Sequence, residues 1–281
     1  MPRALRTAAL QLRTAQRLAR SGEGPLRERF GPLDGRLVFV IGSPRSGTTF
    51  LARSIGSLPG FTDLGEVAPL KASIAELARL APEEAAPRIR RMLATTRRLG
   101  LVGSRRAVEQ TPETAFVAPA VALAFPEARL VHIVRDGRDV ACSLLERGWL
   151  SAERVGGDDA GLPYGAEPRF WVEPERVEEF RRASNAQRAA WAWRAYVSAA
   201  STAKDRAIEL RYETLARDPA SVAADLAAFL GARVETLSEA LRGAHADSIG
   251  RFERELIPEQ LAEIEAEAGA LLAELGYLQR A

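Results

Sequence analysis

The run from Leu37 to Leu51 constrains this chain more than any other stretch. Leu37, Val38, Phe39, Val40 and Ile41 are five consecutive apolar residues with no polar alternation. That is the pattern of a strand covered on both faces of a parallel sheet. Gly42, Ser43, Pro44, Arg45, Ser46, Gly47, Thr48 and Thr49 form a short loop, and Phe50, Leu51, Ile55 and Leu58 then recur at helical spacing. Strand, tight loop and helix together make an anion cradle. The loop N–H groups and the free amides of the helix start point at one place, and the helix dipole adds positive potential there.

The spacing Gly42-x-x-x-x-Gly47-Thr48-Thr49 is that of a nucleotide P-loop, except that Thr48 stands where the lysine belongs. Lys71 and Lys204 are the only lysines in the chain, and neither is close in sequence. The cation lies inside the loop instead, as Arg45, whose planar guanidinium can grip a phosphate or sulfate with two parallel hydrogen bonds.

A chain of 281 residues suits one α/β domain with a large core, and its 47% hydrophobic and 27% charged residues are ordinary for a globular protein. We therefore read residues 1–281 as a single domain. A net charge of +2 is too small to argue for nucleic acid, so a basic site must be local. Cys142 is the only cysteine, which rules out an intramolecular disulfide and is compatible with a reducing, cytoplasmic setting. Every long apolar stretch is interrupted by Arg, Glu or Gly, so no transmembrane segment is expected.

The N-terminal residues 1–30 open with a helix carrying Arg3, Arg6, Arg13, Arg17 and Arg20, with no acid before Glu23. Such a helix either packs on its own domain or touches a membrane surface through residues 1–20. Leu58 to Glu66 reads as a connecting loop, and helical patterns follow over 70–80, 86–99 and 114–124. Val102 is a candidate strand start leading toward Gln110. Residues 148–182 hold paired glycines, several prolines and the aromatics Trp149, Tyr164, Phe170 and Trp171, the composition of a lid or acceptor loop. A helix from about Ser184 to Ala203 carries Trp191 and Trp193, which cannot share one face, so at least one should point away from the core.

A second apolar strand, Arg129 to Val134, runs into Arg135-Asp136-Gly137-Arg138-Asp139 and a helix toward Leu145, with Asp136 or Asp139 placed to cap it. A third strand covers Ala207 to Tyr212. Two strand ends with cations at helix N-termini call for a ligand with two separated anionic groups.

These residues resemble the sulfotransferases that use 3′-phosphoadenosine 5′-phosphosulfate (PAPS). Pro44-Arg45-Ser46-Gly47-Thr48-Thr49 is similar to that family's 5′-phosphosulfate loop. The stretch from Val134 to Ser143 is similar to its 3′-phosphate motif, in which an Arg and a Ser eight residues later share the phosphate; Arg135 and Ser143 have that separation. Leu210 to Leu215 and Leu275-Gly276-Tyr277 extend the likeness over most of residues 36–278. The resemblance implies an α/β, P-loop-like three-layer fold with a central, mostly parallel sheet flanked by helices. It also implies PAPS as cofactor, with PAP as product.

By that resemblance, Arg45, Ser46, Gly47, Thr48 and Thr49 bind the 5′ end, Arg135 and Ser143 the 3′-phosphate, and Arg251 is a late basic position reaching the cofactor. Arg45 also acts in catalysis, stabilising charge on the leaving phosphate. Glu66, in the Gly65-Glu66 dipeptide, matches the base of the tyrosylprotein and many bacterial members, and partial burial should raise its pKa. The histidine of the cytosolic members has no clear counterpart, since His132 lies inside the second strand and His245 in no family motif. Gln110 replaces a lysine found in many relatives and supplies a hydrogen bond without a charge. The acceptor is a small molecule, carbohydrate, lipid or peptide, and no metal or nucleic acid is called for. Two other readings stay open. One is a P-loop kinase or NTPase, for which Thr48 and the arginines flanking Asp136 are ill suited. The other is a nucleotide-binding protein of the same fold that has lost its chemistry.

Overall fold

The computed structural model describes residues 3–21, 26–33, 36–147, 149–150, 172 and 174–279. Five strands, β1 (Leu37–Ile41), β2 (Phe61–Gly65), β3 (Arg106–Glu109), β4 (Arg129–Val134) and β5 (Ala207–Arg211), form one sheet in the order β2-β3-β1-β4-β5. All neighbouring strands are parallel. The central parallel sheet between helices is the architecture expected from the apolar run of β1. Leu37, Phe39 and Ile41 enter the apolar cluster on one face with Ala107 and Leu130, while Val38 and Val40 join Val108, Val131 and Ile133 on the other. Each such burial contributes about 1.5–3 kcal/mol, which explains why β1 tolerates no polar residue on either face.

The chain leaves β1 for the β2 edge, returns through β3, and passes beyond β1 to β4 and β5. The winding therefore reverses between β1 and β4. In doubly wound sheets that crevice, at the C-terminal strand ends, is where ligands lie.

Several elements depart from the expectations. Phe61–Gly65 is not a connecting loop but the edge strand β2. The Pro59-Gly60 turn and the polar pair Thr62-Asp63 hide it, because only Phe61 and Leu64 are buried in this edge strand, one in the apolar cluster on each face of the sheet, which leaves no apolar alternation to read. The helical pattern over 70–80 divides into Ala68–Lys71 and Ile74–Leu77, and the one over 114–124 begins as a 3₁₀ turn, Pro112–Val117, before the helix Ala118–Ala124. The strand leading to Gln110 starts at Arg106 rather than Val102.

Trp191 and Trp193 are both fully buried, contrary to the single-face argument. Their helix, Asn185–Ser201, is enclosed on two sides. Trp191 packs on Phe180 and lies 3.8 Å from the Arg176 guanidinium, whereas Trp193 lies over Gly137 and donates its Nε1–H to the Arg135 carbonyl at 3.0 Å. Of the proposed lid over 148–182, Gly148, residues 151–171 and Glu173 lie outside the described residues.

The N-terminal helix Arg3–Ser21 packs on the body of the protein. Leu10, Ala15 and Leu18 are buried, and Gln11 Nε2 donates to Thr96 Oγ1 at 2.7 Å on the helix Pro82–Leu99. No helix among the described residues is long and apolar enough to cross a membrane.

Candidate active site

The loop after β1 turns through Arg45 (φ 73°) and Gly47 (φ 95°), two left-handed positions in three residues. A Cβ at Gly47 would lie 2.8 Å from the Tyr212 ring, so only glycine fits there. Arg45 holds the same region with a side chain, a conformation that costs on the order of 1–3 kcal/mol and is found where the surroundings over-determine it. The first bond of the helix Thr48–Gly56 runs from Leu51 N–H to the Gly47 carbonyl at 3.0 Å. The amides of Thr48, Thr49 and Phe50 therefore have no acceptor within the helix. Ser46 uses its amide inside the loop, donating to the Ser43 carbonyl at 3.1 Å, whereas its buried hydroxyl has no partner among the described residues.

At the end of β4, Asp136 caps the helix Gly137–Leu145 by accepting from the Arg138 amide at 2.9 Å. Asp139 is not a cap. It is buried one turn on, accepting from the amides of Gly250 at 2.9 Å and Phe252 at 3.1 Å, and so pins the C-terminal segment that carries Arg251. Burial pushes the Asp139 carboxyl up, and those two amides oppose the rise.

Arg135 and Ser143 do not meet as a pair. Ser143 Oγ accepts from Arg45 Nε at 2.9 Å, and Arg135 donates to the carbonyls of Arg45, at 3.3 Å, and Ser248. The Arg135 guanidinium lies 4.5 Å from the Tyr212 ring centre, and its buried Nε has no partner among the described residues. Arg251 sits beside the same helix, bound to Glu255 and to Glu146, the residue at the helix end. The two motifs are thus one cluster, tied together through Arg45.

The Glu66 side forms differently. Between Asp63 and Gly65 the pairing of β2 with β3 slips, Gly65 takes φ 60°, and its amide donates to Asp63 Oδ1 at 2.7 Å. An irregularity of this kind re-aims the next side chain. Glu66 Oε2 lies 2.5 Å from Lys71 Nζ, and Glu113 is 3.7 Å from the same ammonium. Lys71, distant from the loop in sequence, is therefore part of this site, and the helix Ala68–Lys71 brings it there. An adjacent ammonium favours the ionised carboxylate and acts against the rise expected from burial.

Behind this pair stands Glu109, fully buried and not singled out by any motif. Its Oε1 accepts from the Thr111 amide at 2.8 Å and from the Thr111 hydroxyl, and its Oε2 accepts from Thr114 Oγ1 at 3.0 Å. Thr111 Oγ1 in turn accepts from the Val67 amide at 3.1 Å, so the network fixes the backbone next to Glu66. Burial pushes Glu109 up to about 7, its hydrogen bonds to Thr111 and Thr114 resist, and the Glu66 charge adds to the rise. The only sequence signal was an acid ending an apolar strand.

Gln110 and Thr49 connect the two halves, since Thr49 Oγ1 donates to Gln110 Oε1 at 3.3 Å. Both line a cleft of about 490 Å³ together with Glu66 and the arginines Arg13, Arg17 and Arg53. Neither histidine ring joins the cluster: His132 is a core residue with Nδ1 3.4 Å from Glu209, and the exposed His245 ring has Nδ1 3.1 Å from the Gly243 carbonyl, although the His245 carbonyl accepts from the Tyr212 hydroxyl at 3.1 Å.

The fold is α/β, with an arginine-bearing cluster at the C-terminal ends of β1 and β4 and a carboxylate–ammonium pair beside it. Residues 38–236 match the profile of the sulfotransferase family, and the chain belongs to that family. It is a transferase by family and moves sulfonyl groups in the general sense the family defines. The fold resembles that of the sulfotransferase domain of the Synechococcus PCC 7002 olefin synthase, at 17% identity and TM-score 0.52, covering 92% of this chain and 100% of that one. It also resembles the sulfotransferase domain of the curacin biosynthetic pathway (16% identity, TM-score 0.54, 88% and 99% covered). A sulfotransferase from Alicyclobacillus acidocaldarius is similar too (18% identity, TM-score 0.50, 86% and 96% covered). At these identities the likeness is one of fold. No curated protein sequence matches the chain.

Proposed function

We propose that this protein transfers a sulfonate group from PAPS to an acceptor hydroxyl or amine by in-line displacement. The observation that best supports the reading is the Arg45–Ser143 bond, which makes one cluster of the two anion-ready strand ends. The fit to a ligand with two anionic ends rests on the buried, unpartnered Ser46 hydroxyl in one motif and the unpartnered Arg135 Nε in the other.

On this reading Arg45, the Ser46 hydroxyl and the amides of Gly47, Thr48 and Thr49 hold the 5′ end. Arg135 and Ser143 hold the 3′-phosphate, with Arg251 as a further cation beside them. When bound, PAPS supplies an activated sulfonate and a phosphate leaving group. Donors fixed before reaction stabilise negative charge that develops on the leaving side, which is the most effective place for them. Glu66 accepts the proton of the attacking hydroxyl or amine. Lys71 keeps that carboxylate ionised and in place, and Gln110, bonded to Thr49, offers a neutral donor where a charge is common in relatives. By composition, residues 148–182 are the segment we assign to acceptor selection.

Calorimetric titration with 3′,5′-adenosine bisphosphate, beside ATP with and without Mg²⁺, tests the cofactor class. Tight, metal-independent binding of the bisphosphate with weak ATP binding is expected. Preference for ATP–Mg²⁺ would overturn both phosphate assignments.

A further inference from the structure

The cleft that reaches Glu66 is lined on its outer side by three arginines from two helices: Arg13 and Arg17, one turn apart on Arg3–Ser21, and Arg53 on Thr48–Gly56. None of the three forms an ion pair with a carboxylate among the described residues. Arg17 donates to the Leu64 carbonyl, a neutral acceptor. Arg13 and Arg53 have exposed side chains. The acids lining the cleft are Asp63, whose Oδ1 is engaged by the Gly65 amide at 2.7 Å, and Glu66, matched by Lys71 at 2.5 Å. Lys71 is shared between Glu66 and Glu113, so the acids lining the cleft are Asp63 and a Glu66 partly offset by Lys71, set against three guanidinium charges.

A second hollow of about 480 Å³ continues along the same helix and adds Arg20 to Arg13 and Arg17. The basic lining therefore extends outward from the carboxylate as a track. Two observations make this a ligand site and not a solvated face. The helix that supplies Arg13 and Arg17 is fixed to the body through Leu10, Leu18 and Gln11, so the guanidinium groups start from an ordered backbone. The cleft also joins them to Glu66, Thr49 and Gln110.

We propose that the acceptor carries an anionic group, a phosphate, sulfate or carboxylate, remote from the hydroxyl or amine that attacks, and that Arg13, Arg17 and Arg53 bind it. This inference rests on the reading of Glu66 as the acceptor-side base. The three arginines select the acceptor, and their planar donor forks suit oxyanions. They also give the N-terminal helix a function at the site.

The test uses the full chain saturated with 3′,5′-adenosine bisphosphate, titrated calorimetrically with inorganic pyrophosphate as the probe. Saturable binding is expected, weakened about tenfold or more in the double variant Arg13→Gln/Arg53→Gln, the loss typical of removing a charge-assisted contact. Affinity for the bisphosphate itself should stay within about twofold. Arg17 is left intact because it clamps the Leu64 carbonyl. No saturable pyrophosphate binding, or binding that the double variant leaves unchanged, overturns the proposal. Failure of the bisphosphate to bind would instead remove the PAPS reading, and the arginine-dependent part of the pyrophosphate isotherm would still decide the anion site. A turnover arm compares glucose 6-phosphate with glucose, and glycerol 3-phosphate with glycerol, as acceptors. If any transfer is seen, the phosphorylated member should be preferred in the native chain and the preference lost in the double variant; equal use of both members counts against the site.

Discussion

Arg45 Nε donates to Ser143 Oγ across 2.9 Å, and this one bond joins the loop that follows β1 to the helix that follows β4. The Arg45 carbonyl accepts from Arg135 Nη1 at 3.3 Å, so both ends of Arg45 are held by the second motif. The residue that makes this bond also holds a left-handed backbone, at φ 73°.

Removing this link should weaken nucleotide binding more at Arg45 than at Ser143. Arg45 brings a charge and several donors, a contribution of about 1.5–3 kcal/mol, whereas Ser143 brings a single hydroxyl whose place water can take in part, leaving a loss of about 0.5–1.5 kcal/mol. Arg45→Ala should raise the Kd for 3′,5′-adenosine bisphosphate by roughly 10- to 100-fold, and Ser143→Ala by roughly two- to tenfold. Calorimetry on both variants decides the matter; an unchanged Kd in both would show that the cluster does not hold the nucleotide.

Glu66→Gln should lower kcat by about 10²- to 10⁴-fold, the range for a lost general base, with bisphosphate affinity retained. Lys71→Met should move the acid limb of the kcat/KM profile to higher pH, because the ammonium 2.5 Å from Glu66 no longer favours the ionised form. Full activity in Glu66→Gln would remove the residue from the mechanism, and an unmoved acid limb in Lys71→Met would separate the lysine from it.

Glu109 makes the protein less stable as pH rises. Its carboxyl is pushed up to about 7 by burial, above the value of 4.5 for a free carboxyl. Below about 4.5 both folded and unfolded chains hold the proton; above about 7 both have lost it, and only the folded chain then bears a buried charge. The stabilisation is complete at low pH and is lost across that window, by on the order of 3 kcal/mol. Glu109→Gln mimics the protonated form. Denaturant unfolding from pH 4 to 8 should therefore show native stability falling relative to Glu109→Gln, and a constant difference would disprove the raised proton affinity.

Gly47→Ala should damage the loop without emptying the core. A methyl group there would meet the Tyr212 ring at 2.8 Å in a backbone at φ 95°, and Tyr212 also stacks on Arg135. A stability loss of about 1–3 kcal/mol is expected from the backbone strain alone. Bisphosphate binding should weaken with it, and thermal unfolding with and without ligand measures both effects. A variant of native stability and affinity would show that the loop can re-form around a side chain.

Features that local rules govern are legible along the chain. The unbroken apolar run of Leu37–Ile41 allows only a strand buried on both faces, and the glycines and Arg45 behind it admit only a tight anion-ready turn. Asp136 before Gly137–Leu145 reads correctly as a cap for the same local reason. Other features depend on contacts between distant segments and emerge only in the folded chain. β2 is a strand because β3 offers it an edge, and Trp191 is buried because the segment through Phe180 covers a second face of its helix. Lys71 meets Glu66 through a bulge and a one-turn helix, and Glu109 acquires its affinity for a proton from burial that no motif marks. Arg13 and Arg17 reach the cleft only because their helix docks on Pro82–Leu99. Backbone propensity and apolar periodicity act over a few residues and are therefore legible in order along the chain. Side-chain pairing and desolvation depend on which segments the sheet brings together, so they exist only once it has folded.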